Sequence, residues 1–135
     1  LPELEDHYPE STKWGNLPSF GFFIKHVENL SKDNIEFNLK KADARPAIIC
    51  EDLQNITITG LKTDSYADAK NIISFRNVSG GVVQSSFINS NTNTFLEISG
   101  NQTKNISVIN NVLNGVQKAV NNKSKSKVNE LGNIK

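Results

Sequence analysis

The chain has 135 residues and a formal net charge of +1, with 21% charged residues. That length argues for one domain with a real core, and the near-neutral balance gives no basic field for nucleic acid. No apolar run reaches the 18 or so residues that a membrane-spanning helix needs. The one cysteine, Cys50, excludes an internal disulfide and leaves the redox compartment unread. Residues 1–15 carry no basic segment followed by an apolar one, so no signal peptide is visible, and the absence of methionine reads as a processed or excised piece.

Taken in order, residues 1–19 form an opening segment with Tyr8, Trp14 and Leu17 and no clear periodicity, read as a cover for the strands after it. Short apolar runs then recur as FFIKHV, AIICEDL, IISFRNV and FLEISG. They are too short for helices, rich in β-branched and aromatic residues, and separated by Asn, Ser, Thr and Gly.

Aligned, the runs form a repeat with steps of 26, 25 and 23 residues. One apolar column is Phe22, Ile48, Ile73 and Leu96; the next is Ile24, Cys50, Phe75 and Ile98. Val27, Leu53 and Val78 make a third that loses its apolar member in the last coil. Further along the coil stand Leu30, Ile56, Val82 and Ile106, and then Ile35, Leu61, Phe87 and Val112. Asn29, Asn55, Gly81 and Asn105 occupy one corner, where left-handed backbone is needed.

Such a coil cannot bury its apolar residues alone, whereas stacking like on like makes a continuous core. The fold expected is all-β, a right-handed parallel β-helix of about four coils over residues 20–115, with residues 116–135 adding a partial last strand and a polar tail. In this register Cys50 is a buried small hydrophobe, not a nucleophile. Of the six N-x-S/T sequons, those at Asn29, Asn55 and Asn105 fall on the repeated corner, so turn chemistry accounts for them. The Lys123, Lys125 and Lys127 cluster reads as solvated tail. A leucine-rich repeat fails on spacing, and hairpin signals are confined to Asn114-Gly115.

The block Tyr8-Pro9-Glu10, Trp14-Gly15, Leu17-Pro18 and Phe20-Gly21, followed by the FFIKHVENL and ADARPAI stretches, resembles the C-terminal region of bacterial glycoside hydrolase family 28 proteins. These are polygalacturonase-like enzymes with a right-handed parallel β-helix. The resemblance implies galacturonate-containing pectic polysaccharide as substrate and a periplasmic or secreted location. It also implies inverting hydrolysis by two carboxyl groups about 6.5–9.5 Å apart.

The family's Asn-x-Asp, Asp-Asp, Gly-His-Gly and Arg-x-Lys motifs are all absent here. The residues before the first strands read SFG, ARP, AKN and TNT, with no carboxylate pair. Catalytic residues are therefore not transferable to any position, and neither cofactor nor metal is called for. Glu51-Asp52 and the Asp64 and Asp68 pair read as solvated turns. What remains is binding. The outward side of the first strand carries Phe23, Ile49, Ser74 and Glu97, with Arg45 and Lys70 just before strands. Arg45 suits a uronate carboxylate, and Tyr8 and Trp14 suit stacking on a sugar ring. The expected partner is an acidic polysaccharide, with self-association through exposed coil ends. The expected function is the non-catalytic C-terminal β-helix portion of a pectic hydrolase; the alternative is a free-standing carbohydrate-binding or assembly module.

Overall fold

The computed structural model describes residues 21–37, 45–63 and 70–135. All regular structure there is strand: β1 (Phe22–Lys25), β2 (Glu28–Asp33), β3 (Glu36–Phe37), β4 (Ile48–Thr59), β5 (Lys62–Thr63), β6 (Asn71–Gln84), β7 (Phe87–Ser99), β8 (Lys104–Ile109), β9 (Val112–Asn122) and β10 (Val128–Leu131). Every pairing between them is parallel and joins residues about one turn apart in sequence.

The chain therefore winds as a β-solenoid of about four turns. On one face Phe22 pairs with Ile48, Ile48 with Ile73, Ile73 with Leu96, and Leu96 with Val120. The next face stacks Leu30, Ile56, Gly81, Ile106 and Val128. A third stacks Phe37, Thr63, Ile88 and Leu113. The apolar columns close on one another as a single cluster that includes Ile24, Cys50, Phe75 and Ile98. Each Ile, Leu or Phe buried there contributes about 1.5–3 kcal/mol.

The expected first and second columns are both present. Beyond Val78 the expected register is one residue too far along the third turn. Gly81, not Val82, faces inward between Ile56 and Ile106. The reason is steric: a Cβ on Gly81 would lie 3.0 Å from the Phe75 ring and 3.0 Å from Ile106 Cδ1, so the ring already fills that place. The corner residue is accordingly Gly80, and the next inward column runs Ile35, Leu61, Ser86 and Asn111. Phe87 is turned out and 43% exposed. The Val27, Leu53 and Val78 column continues through Thr103, which is buried and donates its hydroxyl to Ser99 O at 2.7 Å.

Corners are built by residues with positive φ. Asn29, Asn55, Gly80 and Asn105 form one such column, and Asn55 Nδ2 donates to Asn29 Oδ1 at 3.1 Å. Gly80 is needed beneath Asn55, because the Asn55 Oδ1 lies 2.6 Å from where a Cβ would stand.

The polar C-terminal stretch does more than trail from the helix. Val128–Leu131 pairs in parallel with Ile106–Ile109, and Ile134 bridges to Val112. Its inward positions include Asn133, so an apolar alternation scarcely marks it. The two ends of the stack are less well covered than the middle. Phe22, Val27, Leu30, Ile35 and Phe37 are half-buried, where Ile48, Leu53, Ile56 and Leu61 one turn on are at most 1% exposed.

Candidate functional site

The outward side of the β1 face is made by alternation. Inward Phe22, Ile24 and their partners leave two rows pointing out. One is Phe23, Ile49, Ser74, Glu97 and Asn121; the other begins Lys25, Glu51, Arg76 and Ser99. The parallel spacing of about 4.8 Å per rung brings successive members into contact.

In the first row the middle rungs are closed. Ile49 is 2% exposed and Ser74 4%, while Phe23 and Glu97 are half-buried. Ile49 is buried outside the inner core cluster, so it is covered on the outer face. Asn71 braces Ser74: its Nδ2 donates to Ser74 Oγ and to Ile73 O. The segment 1–19 expected to supply the cover, with Tyr8 and Trp14, lies outside the described residues.

The second row is an ion ladder. Glu51 accepts from Arg76 Nη1 through Oε2 at 2.6 Å and faces Lys25 Nζ through Oε1 at 3.6 Å. Lys25 also lies 5.7 Å from the Phe23 ring centroid. At the adjoining bend His26 Nδ1 lies 3.3 Å from Asp52 Oδ2. One rung beyond Ser99, the Lys123 N–H donates to Ile98 O at 2.7 Å and the Lys123 ammonium lies 3.5 Å from Glu97. So Glu51, Asp52 and Glu97 each face a basic side chain. Asp64 and Asp68 lie outside the described residues.

The remaining sequence-predicted residues spread along this face. Arg45 is half-buried just before β4, and Lys70 is exposed just before β6, its carbonyl accepting from Thr94 N–H at 3.0 Å. Arg45 and Lys70 thus hold equivalent positions on successive turns, while Glu97 lies further along the strand of the next turn, opposite Ser74. Cys50 is wholly buried, and burial pushes its thiol far above the ordinary value. Among the described residues no group of three His, Cys, Asp or Glu is placed to hold a metal ion. No helix there is long and apolar enough to cross a membrane.

The Lys25, Glu51 and Arg76 ladder was within reach of sequence reasoning. These residues stand two after Phe23, Ile49 and Ser74, and their charges alternate in register. A concavity of about 400 Å³ opens where β4, β6 and the turn before β8 bend, lined by Asp52, Leu53, Gln54, Asn77, Ser79, Gln102 and Lys104. Comparison with protein-family models, with curated proteins and with solved structures finds no match.

Proposed function

We propose that this chain is the non-catalytic, C-terminal β-helix portion of a polygalacturonase-like hydrolase of glycoside hydrolase family 28, contributing contacts to a galacturonate-containing polysaccharide. The absence of the family's Asn-x-Asp, Asp-Asp, Gly-His-Gly and Arg-x-Lys motifs from the sequence carries the non-catalytic half of this reading, and Glu51 is engaged in ion pairs with Lys25 and Arg76. The substrate class rests on the resemblance carried by Tyr8-Pro9-Glu10, Trp14-Gly15 and Leu17-Pro18. Catalysis would then reside in coils outside these 135 residues. By the same resemblance the place of action would be the periplasm or the cell exterior.

The test is incubation with polygalacturonate while reducing ends and binding are measured together. Saturable binding without new reducing ends, weakened in Arg45→Ala, is the expected result. Turnover abolished by removing Glu51, Asp52 or Glu97 overturns the non-catalytic assignment, and absence of binding overturns the glycan assignment.

The half-buried first rung, from Phe22 to Phe37, favours a second reading as an assembly module. In that reading the first coil stacks on another copy. A molar mass that rises with concentration in light scattering supports it; a monomer at every concentration counts against it.

A further inference from the structure

The stretch Asn122–Lys127 is an ordered loop. Asn122 accepts at Oδ1 from the Ser124 N–H at 2.9 Å and from the Ser124 hydroxyl at 2.6 Å. Its Nδ2 donates to Ser126 O at 2.7 Å, and the Ser126 N–H donates to Ser124 Oγ at 3.2 Å. The Lys123 N–H, bonded to Ile98 O, fixes the start of this loop to the fourth turn. Between the loop and the preceding corner lies a groove of about 370 Å³, lined by Gly100, Asn101, Lys123, Ser124 and Lys125.

Its chemistry is selective. No carboxylate lines it, unlike the larger concavity, which has Asp52 in its wall. Lys123 is partly neutralised by Glu97, whereas Lys125 is exposed and in no ion pair among the described residues. The Asn101 amide and the Ser124 side chain add hydrogen-bonding groups of the kind that meet sugar hydroxyls. The absence of aromatic lining disfavours nucleobases, which bind by stacking.

We infer that the groove between Gly100-Asn101 and Lys123–Lys125 is a subsite for a uronate residue of an acidic polysaccharide, with Lys125 on the carboxylate and Asn101 and Ser124 beside the hydroxyls. The inference rests on the proposed glycan class. It places a contact at the C-terminal end of the Lys25 row, one rung beyond Ser99, and in the loop that follows. The braced loop presents its lysines with little ordering left to do on binding.

The experiment is a titration of the ¹⁵N-labelled chain with tri-galacturonate, its methyl ester and polyglutamate, followed by amide chemical shifts. Saturable shifts at Gly100, Asn101 and 123–126 with tri-galacturonate, absent with the ester and with polyglutamate, are the result expected. Lys125→Gln then weakens binding about threefold to fivefold at low salt, the scale of one exposed charge contact, without altering the thermal midpoint. Shifts confined to Phe23, Lys25, Ile49, Glu51, Ser74 and Arg76 overturn this subsite and leave the proposed function standing. Equal shifts with polyglutamate overturn the carbohydrate class of the groove, and no shifts anywhere overturn both proposals.

Discussion

Inside the solenoid, Asn111 Nδ2 donates to Asn133 Oδ1 at 2.9 Å, tying the fourth turn to the fifth through two side chains. Asn111 is fully buried and also bonds upward: Nδ2 donates to Val83 O at 3.1 Å, and Oδ1 accepts from the Ser86 N–H at 2.9 Å. Asn133 repeats the pattern, donating to Val108 O at 2.8 Å and accepting from the Asn111 N–H at 3.1 Å. Polar side chains thus replace the Ile35 and Leu61 of earlier turns without leaving the corner backbone unpaired.

Asn111→Ala strips the side-chain partner from two buried groups, the Ser86 N–H and Val83 O, and one of two donors from Asn133 Oδ1. Each buried group costs about 1–3 kcal/mol when left unmet, less what water recovers. A loss of about 2–4 kcal/mol in urea unfolding is expected. A loss under about 1 kcal/mol would mean that the ladder is dispensable.

Gly80 and Asn55 form a coupled pair. Gly80→Ala sets a side chain at a φ of 81° and against Asn55 Oδ1, and should cost about 1–3 kcal/mol. Removing the amide in Asn55→Gly should restore part of that. The double mutant is therefore less destabilised than the sum of the singles, measured by a thermodynamic cycle. Strict additivity would refute the contact.

Cys50 should be inert to alkylating reagents in the native state and react only through unfolding, so that its labelling rate follows denaturant. Burial raises the folded thiol above its ordinary value of 9.0. Its contribution is therefore complete below that pH and lost above it, as the unfolded chain ionises and the native one does not. Cys50→Ala should flatten the decline in stability above about pH 9, by up to about 1.4 kcal/mol per pH unit. An unchanged slope would contradict this.

The ion ladder should matter little to stability. The Lys25 and Arg76 side chains are 43% and 52% exposed, so Glu51→Gln is expected to cost less than about 1 kcal/mol in low salt and less still in high salt. A large, salt-independent loss would mean that the row is shielded from solvent.

The columns are legible in the sequence wherever the inward residue is apolar. Phe22, Ile48, Ile73 and Leu96 are paired rung for rung, as are Ile24, Cys50, Phe75 and Ile98. The register is hidden where a neighbour does the filling. Val82 looks like the inward residue because Gly81 has no side chain, yet the Phe75 ring from the same turn supplies the bulk. Asn111 and Asn133 are invisible for a related reason, since their burial depends on amide bonds across turns that no apolar pattern announces. Of the expected site residues, the spacing places Glu97 on the outward row, but its partner Lys123 belongs to the next turn, in a stretch whose composition reads as tail.

The corner residues also give the turns an order. Asn34 sits over Gly60, Asn55 over Gly80, Asn77 over Gly100 and Asn110 over Gly132, each amide oxygen filling the space a side chain would have used below it. The repeat looks modular, as though turns were interchangeable beads. A chain with two turns transposed would break these Asn–Gly pairings although every apolar column survived. The succession of turns is therefore written in the corners, separately from the hydrophobic code that makes them stack.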